Sequence, residues 1–319
     1  MRLLVGDLGG THTRLALAEL DGGPIRLQRV TRSLNQEHAD LSAILVSFAS
    51  DLPDNCCLAV AGPTDGQRVR FTNLDWQIDT AQLSQRFGFS HCRLINDFSA
   101  VGWGLNGLAD TDLAPLQAGQ PKVGGPRVAL GAGTGFGVSL CTWQDRHYQP
   151  QASEGGHVGF APVTPEQDRL LGFLRERYGR VSVERILSGP GLVDLYRFSL
   201  MQRGECNDTL LQQASPAAAI SQAGLEQRDA AAIQALRLFV EIYGQTAGDW
   251  ALSCQASGGI FLAGGIAPKL LPALSDGAFL NGFLAKGRYS EWMQQVPVSV
   301  ILDPDIGLKG AGFAAVQSA

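Results

Sequence analysis

The segment Gly6-Asp7-Leu8-Gly9-Gly10-Thr11-His12-Thr13 lies between two short apolar stretches, residues 3–5 and 14–19, and it constrains the fold more than any other part of the chain. Apolar residues run or alternate on both sides of the glycine pair. That pattern predicts two strands joined by a loop over residues 6–13, a hairpin and not a strand-to-helix turn. Glycines in such a loop let backbone N–H groups turn towards phosphate oxygens, and the Thr11 and Thr13 hydroxyls add donors. Asp7 would repel a phosphate directly, so its role there is to hold a hydrated Mg²⁺ that neutralises the phosphates. A Gly-Gly hairpin turn with a solvated Asp is the plainer alternative.

Two further glycine loops follow. Gly131-Ala132-Gly133-Thr134-Gly135-Phe136-Gly137 is not a dinucleotide fingerprint, because Phe136 stands where a third glycine is needed and Val138-Ser139-Leu140 continues as strand. It reads as a second strand–turn–strand phosphate loop with Thr134 as hydroxyl donor, or else as a turn used only for packing. Ala263-Gly264-Gly265-Ile266-Ala267-Pro268 ends a strand and is expected to open a helix at Pro268, leaving flat glycine backbone on which a planar base can lie. The chain has 39 glycines in 319 residues, well above the usual ~7%, and their clustering points to ligand loops built from backbone. No G-x-x-x-x-G-K-[ST], H-R-D or D-F-G sequence is present, which disfavours P-loop and protein-kinase chemistry.

Further strands are expected at residues 57–61, 69–72, 93–96, 128–130, 138–143, 260–263 and 298–302, all short, apolar and bounded by Gly, Pro or Asn. One helix is expected after Thr164 as N-cap, with Pro165 at its first position, Gln167 completing a capping box and Gly179 as the stop. A second is expected over about residues 227–252, where Ala235, Leu236, Phe239, Val240, Tyr243 and Ala247 share one face. Residues 212–235 read as helices with a loop. Strands mixed with helices imply an α/β protein. The length suits two domains, with a connection near residues 105–112 and room for a cleft. The glycine-rich segment 307–312 is expected to lead a helix back to the first lobe.

A formal net charge of −5 gives no basic field for nucleic acid or an anionic membrane surface. Asp7 interrupts the opening apolar run before it could form a signal-peptide core, and no segment approaches the roughly 18 apolar residues of a membrane span. The six cysteines show no C-x-x-C spacing, so reduced thiols and a cytoplasmic location are expected.

Within Leu94-Ile95-Asn96-Asp97-Phe98 an apolar strand delivers an amide and a carboxylate side by side. Asp97 is the best candidate for a general base accepting a hydroxyl proton, and a helix N-cap before Ser99 is its plainer role; the two can coexist. Glu154-Gly155-Gly156-His157 and Glu184 supply groups able to hydrogen-bond a polyol. A metal reading of Glu154 and His157 is disfavoured, because Gly155-Gly156 argues against the helix that would align them and no second E-x-x-H accompanies it. No nucleophile elbow surrounds Ser153 or Ser188, so a hydrolase triad is not supported.

Taken in order, Val5-Gly6-Asp7-Leu8-Gly9-Gly10-Thr11, Thr72-Asn73, Ile95-Asn96-Asp97-Phe98, residues 131–135, residues 154–157, Leu187-Ser188-Gly189-Pro190-Gly191 and Ala263-Gly264-Gly265 resemble the bacterial glucokinases across nearly the whole chain. The resemblance implies two ribonuclease-H-like α/β lobes of the actin/hexokinase/Hsp70 type with an interdomain cleft. The implied small lobe covers residues 1–108, completed by a C-terminal helix at 306–319, and the large lobe covers 109–305. It implies ATP-dependent phosphorylation of D-glucose to glucose 6-phosphate, with Asp97 as base and Asn73, Asn96, Asp97, Glu154, His157 and Glu184 on the sugar. It places Asp7, Gly9, Gly10, Thr11, Gly131, Gly133 and Thr134 on the ATP phosphate and Mg²⁺ loops, Asp7 meeting the metal through water, and Gly264 and Gly265 beside the adenosine. A homodimer is also implied. His12 departs from the family's usual Asn. The Cys-x-Cys-Gly zinc motif of the related repressor/ORF/kinase group is missing, which puts the chain with the zinc-free enzymes. Alternatives are a kinase for another hexose such as fructose or mannose, and a noncatalytic nucleotide-dependent assembly protein.

Overall fold

The computed structural model describes residues 1–21, 24–49, 51–62, 64–71, 74–206 and 208–317. Its contacts divide the chain into two units, Met1–Asp110 with Cys141–Ala152 and Asp303–Ala319, and Thr111–Leu140 with Ser153–Leu302. Among the described residues no helix is long and apolar enough to cross a membrane.

The first unit is built on β1 (Arg2–Leu8), β2 (His12–Glu19), β3 (Arg26–Leu34), β4 (Asn55–Val60) and β7 (His91–Asn96), with a separate ribbon of β5 (Arg68–Arg70) and β6 (Gln77–Asp79). The five-stranded sheet has the order β3-β2-β1-β4-β7. β1 pairs antiparallel with β2 and parallel with β4, and β4 pairs parallel with β7. Alternation along β1 sends Leu4 and Leu8 into one core with Leu45, Leu58 and Leu94. Leu3 and Val5 enter a second core on the other face, with Ile95, Leu308 and Ala311. The helix Ile306–Val316 closes that second face against the helix Asp97–Gly104. Gly310 allows the approach, since a Cβ there would fall 1.7 Å from the Ala100 carbonyl oxygen.

The second unit carries β8, β9, β12, β13 and the start of β10 from a six-stranded sheet of order β11-β10-β9-β12-β13-β8, while the end of β10 and nearly all of β11 fall in the first unit's Cys141–Ala152 segment. These strands are β8 (Leu113–Gln117), β9 (Arg127–Ala132), β10 (Phe136–Gln144), β11 (His147–Ser153), β12 (Gly259–Ala263) and β13 (Val298–Ile301). Its core is organised around the helix Ala230–Cys254, whose Leu236, Phe239, Val240, Tyr243 and Ala247 pack with Val128, Leu130 and Leu262. The helix Pro165–Tyr178 has Thr164 as N-cap, its hydroxyl accepting from the Gln167 N–H at 3.2 Å, and ends at Gly179. Gln167 departs from the expected capping box, because its Oε1 accepts from the Val163 N–H at 2.9 Å, one residue before the cap.

Candidate active site

Strand pairing puts the first set of groups along one edge of the first sheet. Asp7 lies opposite Ala59 of β4, and the next residue of β4, Val60, lies opposite Asn96 of β7. β1, β4 and β7 are parallel, so Asp7 and Asn96 reach the same carboxyl edge about two strand spacings, roughly 10 Å, apart. That edge is where open α/β sheets bind ligands. Asn96 turns the chain from strand into helix: its Oδ1 accepts from the Ser99 N–H at 3.0 Å, so Asn96, and not Asp97, is the N-cap. Asp97 is the first helical residue, and its Oδ1 accepts from the Phe98 N–H at 2.8 Å. This position sets the Asp97 carboxyl at a helix N-terminus.

The first glycine turn is tighter than the sequence predicts. β1 continues through Leu8 and β2 begins at His12, so the turn is residues 9–11, closed by the Gly9 N–H donating to the His12 carbonyl at 3.0 Å. Thr13 is thereby drawn into β2 and buried, and its hydroxyl donates to Asn35 Oδ1 at 2.8 Å, which removes it from the phosphate donors. Asn35 also donates from Nδ2 to the Gly9 carbonyl at 2.8 Å, and its N–H donates to the Thr11 carbonyl at 3.0 Å. One buried amide thus ties both ends of the turn. Nothing in the sequence marks Asn35, because its partners lie more than twenty residues away. Burial pushes the Asp7 carboxyl above its ordinary value, while the charge of Arg14 pulls the other way. Arg14 itself ion-pairs with Asp305 and donates to the Pro304 carbonyl at 2.7 Å. The Asp7 carboxylate lies 3.7 Å from the place a Cβ would take on Gly307, so space is left beside it.

The second set belongs to the second unit. The turn after β9 is closed by the Gly133 N–H donating to the Gly135 carbonyl at 2.8 Å, and the Gly189 N–H donates to the Gly133 carbonyl at 2.9 Å. Glu184 reaches into this turn: its Oε2 accepts from the Phe136 N–H at 2.9 Å and occupies the space a side chain on Gly135 would need. One carboxylate oxygen is therefore committed to the glycine turn. Ser188 braces Glu184 from behind, its hydroxyl donating to the Glu184 carbonyl at 2.7 Å while capping the helix Gly189–Arg203 at the Gly191 N–H. The Ser-Gly-Pro-Gly sequence carries this cap signature, a Ser followed by Pro inside the first turn.

Glu154 precedes a 3-10 turn, Gly155–His157. The short turn sets His157 Nε2 3.9 Å from Glu154 Oε2, both side chains more than half exposed. The Val183 N–H donates to the Val158 carbonyl at 3.0 Å, which holds this turn next to Glu184. The structure thus brings Glu154, His157, Glu184, Gly133 and Gly135 into one hydrogen-bonded neighbourhood. Gly131 ends β9 with its neighbour Ala132, and Thr134 is the exposed tip of the turn. Gly264 follows β12 with a left-handed φ of 83°, and a Cβ there would meet the Ala132 carbonyl oxygen at 2.7 Å, so glycine is required twice over. Gly265 faces open space. The helix expected at Pro268 is instead a run of turns, and helix begins only at Leu271. Thr72 and Asn73 lie outside the described residues. Among the described residues no group of three or more His, Cys, Asp or Glu side chains converges as a metal cluster would.

The family model described as Glucokinase matches residues 4–318. A curated glucokinase from Nostoc punctiforme is 40% identical over 337 residues, covering 99% of each chain. The crystal structure of a glucokinase from an Antarctic psychrotroph superposes with a TM-score of 0.86 at 31% identity, covering 99% of both chains. That of a Balamuthia mandrillaris glucokinase in complex with glucose gives 0.81 at 23%, covering 99% of this chain and 93% of the other.

Proposed function

The chain belongs to the glucokinase family, with the ribonuclease-H-like α/β lobes of the actin/hexokinase/Hsp70 type, and from that premise we propose how its residues carry out ATP-dependent phosphorylation of D-glucose to glucose 6-phosphate. The observation that carries the residue assignment is the delivery of Asn96 and Asp97 to the sheet edge that also presents Asp7 and the first glycine turn.

Asp97 takes the proton from the sugar 6-hydroxyl as that oxygen attacks the γ-phosphorus of ATP; the bond from γ-phosphorus to its bridging oxygen breaks, and ADP departs. Asn96, Glu154, His157 and Glu184 hold the sugar hydroxyls, with Asn73 in the same set. The glucose in the Balamuthia relative supports glucose as the sugar. Glu184 has one carboxylate oxygen on the Phe136 N–H, so its other oxygen is the one offered to the sugar. Backbone N–H groups of Gly9, Gly10, Gly131 and Gly133, with the Thr11 and Thr134 hydroxyls, hold the ATP phosphates. The open backbone at Gly265, beside Gly264, takes the adenosine.

Asp7 fits a magnesium role: it is a hard oxygen donor with space beside it, its burial raises the cost of leaving it charged and unpaired, and a lone carboxylate suits an ion that keeps most of its waters. Mg²⁺ bound there neutralises phosphate charge. We place the enzyme in the cytoplasm, where ATP is at hand and its cysteines, none of them in a disulfide, stay reduced.

Replacing Asp97 tests the assignment. Asp97→Ala and Asp97→Asn are expected to lower kcat by roughly 10²–10⁴ with melting temperature little changed, the range that a positioned general base contributes. Asp97→Asn retains an oxygen for the Phe98 N–H, so a loss there reports proton transfer and not the helix start. Near-normal turnover in either folded variant removes Asp97 from the role of base.

A further inference from the structure

β4 and β7 run side by side in parallel with Cys56 opposite Cys92. Neighbouring strands stand about 4.8 Å apart, within the Cα separation of roughly 4.4–6.8 Å that a disulfide spans. Side chains of register partners leave the same face of the sheet, so the two thiols lie side by side. They differ in access: Cys56 is 2% exposed, whereas Cys92 is half-buried. Both line a cavity of about 450 Å³ together with Ser84, Ser90, His91 and Arg93. Cys57 lies one residue further along β4, so strand alternation turns it to the opposite face. There it packs in the core with Leu3 and Val5, while Cys56 packs with Leu58 and Val60. Burial pushes the Cys57 thiol up to about 12. None of the six cysteines is in a disulfide.

We infer that Cys56 and Cys92 are an oxidant-addressed dithiol: hydrogen peroxide entering the cavity converts them to a disulfide, and the cross-link restrains the strand that ends in Asn96, just before Asp97. Cys92, the more exposed thiol, reacts first. Its sulfur attacks one peroxide oxygen, the O–O bond breaks, and a sulfenic acid and water result. The Cys56 sulfur then attacks the Cys92 sulfur, expelling its oxygen as a second water as the Cys56 proton leaves. Two thiols and one peroxide become one disulfide and two waters. Burial pushes the Cys56 thiol well above the ordinary thiol range, so Cys56 does not meet peroxide first; its place opposite Cys92 puts it in reach of the sulfenic sulfur. Cys92 is only four residues before Asn96, so a covalent tie between β4 and β7 acts on the strand end that sets the Asp97 carboxylate. This last effect rests on the assignment of Asp97 as base.

Peptide mapping of the full chain after hydrogen peroxide treatment tests the inference, with remaining thiols alkylated and digestion done without reduction. A peptide holding Cys56 is expected joined to one holding Cys92, two hydrogens lighter than the separate thiols and released by dithiothreitol. The link should persist in Cys57→Ser and vanish in Cys56→Ser and Cys92→Ser. Glucose phosphorylation should fall several-fold on oxidation and recover on reduction, and Cys92→Ser should resist the loss. Cys92→Ser, at the more exposed position, keeps the test readable if Cys56→Ser folds poorly. Oxidation of Cys92 to sulfinic acid without a link, or a link running through Cys57, overturns the dithiol assignment. A link with undiminished activity overturns the restraint on the strand. Failure of Asp97 as base appears separately, as retained turnover in Asp97→Ala with the link still forming.

Discussion

At the scale of single residues, the groups proposed to touch substrate depend on others that touch none. Asn35 is 1% exposed and saturates three polar atoms around the first glycine turn, the Gly9 and Thr11 carbonyls and the Thr13 hydroxyl. Asn35→Ala keeps the backbone N–H to the Thr11 carbonyl but leaves the Gly9 carbonyl and the Thr13 hydroxyl without their side-chain partner, at about 1–3 kcal/mol for each buried group that stays unsatisfied. We expect a stability loss of about 2–4 kcal/mol in urea unfolding, together with a raised KM for ATP and an unchanged KM for glucose, because the turn is assigned to phosphate and not to sugar. Equal rises in both constants would mean that the turn does not act on the nucleotide alone. Legibility at this scale follows sequence distance. Asp7, Asp97, Glu154 and the glycine loops carry signatures within a few neighbouring residues, and Asn35 and the Cys56–Cys92 contact carry none, because each is made by strands or loops brought together from far along the chain.

At the scale of elements, the expected strands and the helix Pro165–Tyr178 are found, whereas three outermost strands and the helices Leu41–Phe48, Thr80–Phe87 and Gly189–Arg203 are not among the expected elements. β3, β8 and β11 are all outermost strands and none is among the expected elements. β3 is largely exposed and rich in Arg and Gln, and β8 and β11 each contain a proline, Pro115 and Pro150. An edge strand with one unpaired side tolerates polar residues and Pro, so the alternation that marks a buried strand is absent. The helix Pro165–Tyr178 shows the opposite case, with its cap and stop written locally. Glu166 in its first turn accepts from Gln234 Nε2 at 2.8 Å and ion-pairs with Arg237, tying this helix to Ala230–Cys254. Partial burial raises the Glu166 carboxyl, but the hydrogen bonds from Gln234 and Arg237 and the arginine charges outweigh it and hold the group below its ordinary value of 4.5. A lowered acid stabilises the folded state above the unfolded value and loses that contribution as pH falls through the folded one. Wild type is therefore expected to exceed Glu166→Gln in melting temperature at pH 7, by an increment worth about 1 kcal/mol or less for a partly solvated pair, with the difference closing below about pH 4. A gap that stays constant from pH 7 to pH 3 would assign the effect to packing instead of charge.

At the scale of the whole molecule, each unit presents a glycine turn beside acidic side chains: Asp7 and Asp97 in the first, Glu154 and Glu184 in the second. The hydrogen bond from the Phe136 N–H to Glu184 joins a group proposed to read sugar to a turn proposed to hold phosphate. The sugar and phosphate roles proposed in the second unit therefore meet at one hydrogen bond. The ordered set of loops makes the kinase family legible from sequence, whereas the choice among hexoses is not, since Glu154, His157 and Glu184 are suited to any polyol. ADP release by the purified protein with Mg-ATP, first without sugar and then with glucose, fructose, mannose or N-acetylglucosamine, tests the central claim most directly. Little release without sugar and strong stimulation by glucose over the other three is the predicted result. Release that is independent of sugar, or stimulation by another hexose in preference to glucose, would contradict it.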